Sequence, residues 1–307
     1  MTTRALVPIL KERGYKVEVI RGKDNFLHLT RSDGKEFFTY SYSPPDTSYF
    51  AGCIADDKLA SYFLLRDIPG VKQPDTLYIK SLNDNQPLKK FLGAHKKVVI
   101  KPVDGAHGND IYTDVVTIED AERKISFLLK ERHQRVIVQQ QLETDGHETR
   151  VVCVGYKFVA AFSRIPASVT GDGVHTVAEL VKIENSTIRT EPYASNLAYI
   201  DEKLAEEYLA EKNLADYVPK LGEKVRVVMM CNIGRGGTVV DITSQIPDEI
   251  RRLCESIAKK LQLPIVGIDF LGDYILEVNS TPSLFYPTND ESSTVCVRKM
   301  VDHLDQL

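Results

Sequence analysis

Residues 265–270 read IVGIDF and residues 275–282 read ILEVNSTP. Both are apolar runs of the kind that build buried strands, yet they carry Asp269, Glu277 and Asn279 in their interiors. A buried carboxylate is costly unless a cation accompanies it or it takes up a proton, so this pair of runs constrains whatever surrounds it. Leu271-Gly272-Asp273 lies between them, and a glycine-containing three-residue loop is a common hairpin connection. That loop predicts Asp269 opposite Ile275. Because strand side chains alternate, Asp269, Glu277 and Asn279 then share one face, with Glu277 diagonal to Asp269. An all-oxygen set suits a hard cation such as Mg2+ rather than zinc. A hairpin whose polar face merely meets solvent has the same pattern, and other segments must decide between the two.

The chain has 307 residues, 43% of them apolar and 27% charged, which is ordinary for a globular protein of more than one domain. Its net charge of −4, without a dense Lys/Arg block, gives no footprint for nucleic acid or an anionic membrane. No run of about 18 apolar residues is present, so no membrane span is expected. Cys53, Cys153, Cys231, Cys254 and Cys296 are odd in number and form no CxxC pair. They read as reduced packing residues, and with a polar start the expected location is cytoplasmic.

No internal repeat or low-complexity tract is visible. Residues 1–55 read as a small N-terminal subdomain: a helix, the strands KVEVI, FLHLT and EFFTY, and the turn-rich SYSPPDTSYF. Residues 56–140 predict a helix over 56–66 capped by Asp56 or Asp57, the strand KKVVIKP, a glycine loop, the strand IYTDVV, a helix capped by Thr117, and the strand RVIVQQ. Residues 141–307 predict the hairpin ETRVVCV/KFVAAFSRI, two helices, the strand KVRVVMM, the loop CNIGRGGT, a helix, the opening hairpin and a last helix. This interleaving without a regular βαβ rhythm fits α+β.

IKPVDGAHGND (100–110) is the second informative stretch. Lys101 ends an apolar strand, and Gly105 and Gly108 permit a turn whose amides approach a polyanion closely. The ammonium would supply a point charge to nucleotide phosphates and the amides directional donors. It is neither a Walker loop nor GxGxxG, and a plain hairpin with two glycines has the same letters.

KPVDGAHGND, SRIPASVTGDGVHTVAELV, VRVVMMCNIGRGGTVVDIT and VGIDFLGDYILEVNSTPSL, taken in this order, resemble the ATP-grasp ligases, in particular the ATP-grasp portions of cyanophycin synthetases and bifunctional glutathione synthetases. The likeness runs from about residue 56 to about 285. It implies an ATP-grasp fold in which two α+β lobes clamp the nucleotide, residues 56–140 forming the lid lobe and 141–307 the lobe with the Mg2+ and substrate sites. It implies ATP and Mg2+ as cofactors, and transfer of the γ-phosphate to a carboxylate whose acyl phosphate an amine then attacks. Small amino-acid or peptide-like molecules are the implied partners, and a homodimer is compatible with the family.

By the same resemblance, Lys58, Lys101, Gly105, His107, Gly108 and Gln139 are implied in nucleotide binding and Asp269, Glu277 and Asn279 in holding the metal. Arg164 and Arg226 are implied in catalysis, at a substrate carboxylate or the transferred phosphoryl group. The chain departs from the family at Gln139-Gln140-Gln141, where a carboxylate is usual, and at Arg235, where a small residue is common and a cation could meet an acidic substrate. His107 and His175 lie in loops where a solvated histidine is the ordinary finding. An ATP-binding module without ligation and a kinase acting on a hydroxyl are the competing readings.

Overall fold

An amphipathic helix, α1 (Thr2–Glu12), opens the fold and buries Leu6, Ile9 and Leu10 in one cluster with Leu27, Leu29 and Phe37. These belong to an antiparallel sheet of β1 (Lys16–Val19), β2 (Phe26–Thr30) and β3 (Glu36–Tyr40), in that order. The computed structural model describes residues 2–20, 25–105, 110–132, 135–144, 146–186, 199–229, 231, 233–286 and 292–307.

Ser48 caps α2 (Tyr49–Asp56) by accepting from the Ala51 N–H, so a helix begins inside the stretch the sequence reads as turns. Asp57 takes an extended backbone, ends α2 and caps α3 (Lys58–Leu65), its Oδ1 accepting from the N–H groups of Leu59 and Ala60 at 2.9 and 2.8 Å. The helix expected over 56–66 therefore starts at Lys58. Satisfying two orphan amides at a helix start with one carboxylate is worth about 1 kcal/mol.

A four-stranded antiparallel sheet follows, built from β4 (Thr76–Ile79), β5 (Val98–Pro102), β6 (Tyr112–Val115) and β7 (Val136–Gln140) in the order β4-β7-β5-β6. The helices α4 (Gln86–Ala94) and α5 (Ile118–Lys130) cover one face, where Leu88, Ile125 and Leu128 pack on Val98, Ile100, Val136 and Val138. By alternation, Val99, Lys101, Ile137 and Gln139 take the other face. Thr117 caps α5 as its sequence predicts, accepting from the Asp120 N–H.

The remaining strands are β8 (Glu148–Val154), β9 (Lys157–Ile165), β10 (Ser168–Thr170), β11 (Lys224–Arg226), β12 (Thr238–Asp241), β13 (Ile265–Leu271) and β14 (Tyr274–Asn279). Five of them form a sheet in the order β12-β9-β8-β13-β14. Its one face packs Val151, Cys153, Val266, Ile268 and Phe270 on α8 (Asp248–Lys260). The other packs Val152, Val154 and Phe162 on α1, the N-terminal sheet and α9 (Ser292–Gln306). The strand β10 pairs with β11, and with α6 (Val177–Ser186) and α7 (Glu202–Lys212) they share a separate core around Val169, Leu180, Leu209 and Val227. KVRVVMM thus contributes a strand of three residues only, and β12 continues directly from the loop at 233–237.

The β13–β14 hairpin corrects one sequence expectation. Its loop is two residues, Gly272-Asp273, because Leu271 pairs with Tyr274, and Gly272 adopts the left-handed φ of +57° that such a tight turn requires. Asp269 faces Glu277 directly, Phe270 faces Ile275, and the register shifts between the two pairs, leaving Leu276 as the extra residue. Without that bulge Ile275 would share a face with Glu277. With it, Ile275 drops into the core beside Phe270 while Glu277 and Asn279 stay on the polar face.

Candidate active site

The face of the five-stranded sheet that is apolar under α9 turns polar towards the β13–β14 loop. Asp269 stands there between two guanidinium groups. Arg150, its partner in the β8–β13 register, donates from Nη2 to Oδ2 at 2.6 Å and from Nε to Oδ1. Arg164 on β9 donates from Nη2 to Asp269 Oδ2 at 2.8 Å and to Glu148 Oε2 at 2.6 Å, leaving its Nε buried without an acceptor among the described residues. Gly267 makes room for this arrangement, since a Cβ there would lie 2.8 Å from Pro282 Cβ and 3.0 Å from Arg150 Cδ. Burial alone would raise the Asp269 carboxyl; Arg150 and then Arg164 overrule it and hold the group well below the usual carboxylate range. Glu148 differs: burial pushes it up, and the pull of Arg164 is opposed by Asp269 and Glu277.

Glu277 and Asn279 complete the face. The Asn279 amide nitrogen lies 3.4 Å from both Asp269 Oδ2 and Glu277 Oε1, and Lys58 Nζ lies 3.4 Å from Glu277 Oε2. Lys58 reaches this point from the first turn of α3 and also donates to the Gly105 carbonyl at 2.6 Å, which joins the start of the glycine loop to β14. Gly105 has to be glycine, because a Cβ there would run into the Pro102 ring. Lys101 projects from β5 towards the same carboxylates. It is 8% exposed and has no hydrogen bond or ion pair among the described residues. Burial lowers its ammonium to about 8, with Glu277 resisting and Lys58 adding to the fall.

Two carboxylates and a carboxamide are a hard donor set. Among the described residues no group of three or more His, Cys, Asp or Glu side chains gathers as a metal centre, so the third donor here would be the Asn279 amide oxygen. A half-turn of that amide brings its oxygen in place of its nitrogen. Asp269 would have to loosen one guanidinium contact. With those two adjustments the set fits Mg2+.

The structure thus brings together Lys58, Lys101, Gly105, Arg164, Asp269, Glu277 and Asn279. His107 and Gly108 lie outside the described residues. Gln139 shares the cleft face with Lys101 but sits two residues further along its strand, bonded to Thr76. Arg226 turns back on its own loop, donating to the carbonyls of Val228 (2.9 Å) and Met229 beside Gly146. Arg235 is paired with Asp201, the cap of α7, so its charge is already engaged. His175 is exposed and bound to Asp172 at 2.6 Å. Arg150 and Glu148 were not singled out from sequence. The signal was an arginine inside the apolar ETRVVCV, opposite in sign to the aspartate inside IVGIDF. Cys231 adds a packing contact, its thiol donating to the Gly146 carbonyl at 2.9 Å.

Residues 72–207 match the family model for the ATP-grasp domain of prokaryotic glutathione synthetase. The chain is 26% identical over 291 residues to the glutathione biosynthesis bifunctional protein GshAB of Listeria innocua, covering 89% of this chain and 36% of the relative. It is 32% identical over 244 residues to cyanophycin synthetase of Synechocystis sp., covering 75% of this chain and 28% of the relative. The chain therefore spans about a third of the length of the curated relatives it matches. Among solved structures, a bifunctional glutathione synthetase from Pasteurella multocida superposes with a TM-score of 0.65 at 23% identity over 100% of this chain and 43% of that one. D-alanine–D-alanine ligase from Bacillus anthracis gives 0.52 at 14% identity, over 85% of this chain and 69% of that one. These likenesses show the fold. No helix among the described residues is long and apolar enough to cross a membrane.

Proposed function

The chain is an ATP-grasp protein, and from that premise we propose that it is an ATP-dependent carboxylate-amine ligase acting on small amino-acid or peptide-like substrates through an acyl phosphate. The observation that carries this reading is the facing of Lys58 and Lys101 from one side of the cleft onto Asp269, Glu277 and Asn279 on the other. Four cations, Lys58, Lys101, Arg150 and Arg164, meet three carboxylates, Glu148, Asp269 and Glu277. Among the described residues the unneutralised charge is that of Lys101, buried where an anionic ligand would pair it.

A carboxylate is a poor acylating agent because its oxygen leaves badly, and phosphorylation corrects that. The protein's task is then positioning and charge neutralisation. Lys101 and Lys58 hold phosphate oxygens, and the rest of the glycine loop, residues 106–109, lies outside the described residues. Arg164 has an unused Nε to offer to the transferred phosphoryl group or the substrate carboxylate. Mg2+, bound by Asp269, Glu277 and Asn279, would supply most of the remaining neutralisation. The relatives' names, glutathione and cyanophycin synthesis, support amino-acid or peptide substrates as the class to test.

The test is phosphate release from ATP with pooled amino acids and short peptides, with hydroxylamine as the trap. Amine-dependent release and a hydroxamate are expected. Phosphoryl transfer without hydroxamate would favour a kinase. Nucleotide binding without turnover under any acceptor would favour a binding module.

A further inference from the structure

We infer that α7 is a connecting rod: Lys212 at its end holds the four-stranded sheet, Asp201 at its start holds the turn at 233–237, and a nucleotide engaged by that sheet thereby positions the turn beside Arg164. This rests on the nucleotide reading of the cleft given above.

The start of α7 is fixed to the turn by contacts of three kinds. Arg235 Nη1 donates to Asp201 Oδ2, while Oδ1 of the same carboxylate caps the helix by accepting from the Leu204 N–H at 3.1 Å. Gly236 lies against the backbone of Ile200: a Cβ there would be 2.8 Å from Ile200 Cα, and its φ of +94° favours glycine in any case. Asn185 on α6 brackets Ile200, accepting from its N–H at 2.8 Å and donating to its carbonyl at 2.9 Å. The turn is thereby joined to residues 200 and 201.

At the far end Lys212 Nζ donates to Asp114 Oδ2 at 2.8 Å. Asp114 is on β6, which pairs with β5, the strand of Lys101. The 11 residues of α7 span about 16 Å, and Ala205 and Leu209 anchor them in the core shared with α6, β10 and β11. A close-packed unit of that kind shifts as a body rather than deforming. Beyond the turn the chain enters β12, where Val239 pairs with Arg164. One helix therefore joins the sheet that carries Lys101 to the strand edge that carries Arg164. Lys212 and Arg235 are positioning residues in this account, since they act through α7 and the turn.

Hydrogen exchange of the full chain with and without AMP-PNP and Mg2+ reads the rod, with calorimetry on the same preparations to measure binding. In the unmodified chain the nucleotide is expected to slow exchange in 233–242 by about fivefold or more, the lower end of ordinary coupling between sites. Lys212→Met should abolish most of that slowing while β5 and β6 keep theirs, and Lys212→Arg, which retains the ion pair, should preserve it. A purely structural role would instead quicken exchange equally with and without nucleotide. Slowing in 233–242 that persists in Lys212→Met, or that is absent from an unmodified chain whose β5 and β6 are slowed, overturns the inference and leaves the nucleotide reading intact. Absence of AMP-PNP binding overturns both. Should Lys212→Met fail to fold, Arg235→Met decides: it cuts the other end, so slowing must reach the end of α7 and not the turn, and slowing that still reaches the turn refutes the proposal.

Discussion

Arg150 and Asp269 meet as opposite charges across two paired strands, 2.6 Å apart at Nη2 and Oδ2, in a site where the aspartate is 2% exposed. Removing Arg150 leaves Asp269 with Arg164 alone in a site without water. Arg150→Met is expected to destabilise the fold by about 3–5 kcal/mol in urea unfolding, and Arg150→Met/Asp269→Leu to recover most of that. A single variant as stable as the parent would contradict the buried pair. The pH dependence follows from the lowered carboxyl. This contribution is fully present above the unfolded value near pH ~4 and is lost as pH falls through the folded value of about 2.

Lys101 has the opposite sign. Its ammonium is buried without a paired anion among the described residues, and its value falls from the ordinary 10.5 to about 8, so the folded chain binds protons less readily than the unfolded one. Below about pH 8 the penalty is complete, on the order of 3 kcal/mol, and it disappears as pH rises towards 10.5. Lys101→Met should therefore raise the stability of the ligand-free chain at pH 7 by about 1–3 kcal/mol, with a gain that shrinks at alkaline pH, while weakening nucleotide binding. Lower stability of the variant at every pH would count against this account.

Much of this arrangement was legible in the sequence because polar residues inside apolar strands are conspicuous. Asp269, Glu277 and Asn279 announced a shared face by period-two alternation, and they do share one. Their register was not legible. The bulge at Leu276 arises from competition between Ile275 entering the core and Glu277 staying out of it, and a pairwise reading of the turn cannot weigh that. The cation beside Asp269 was expected to be a metal alone. Arg150 is 119 positions away in sequence, and only the β8–β13 pairing brings it there. Arg235 fails in the converse way: its partner Asp201 caps a helix, a role that no motif around NIGRGG records.

Gly267 lies two residues before Asp269 on the same face of β13 and has no spare volume. Gly267→Ala should push Pro282 and Arg150 apart and cost about 1–3 kcal/mol, as overpacking typically does. Turnover should fall further than stability, because Arg150 would no longer align with Asp269. Thermal unfolding and phosphate release on the same preparation check this, and an alanine variant with full activity would show that the contact is slack.

Asp114 on β6 links the four-stranded sheet to α7. It accepts from Lys212 Nζ at 2.8 Å, Lys97 Nζ at 3.1 Å and Gln141 Nε2 at 3.0 Å, with its own backbone in the left-handed region at φ +55°. Burial works against the charge, but these three donors outweigh it and hold the carboxyl well below its ordinary range, so the link should survive mild acid. Asp114→Asn separates charge from backbone, because asparagine tolerates that conformation as well as aspartate does. Both Asp114 and Lys212 are partly exposed, so Asp114→Asn should change global stability by no more than about 1 kcal/mol. What it should change is the coupling across the cleft. Amide exchange in β6 and at the end of α7 should quicken together, and the ATP concentration for half-maximal turnover should rise while the maximal rate holds. Raising salt should mimic the variant in the parent chain, since a partly exposed ion pair is screened over about 8–10 Å. Exchange that quickens in β6 alone would mean that the carboxylate orders its own strand and does not tie it to α7.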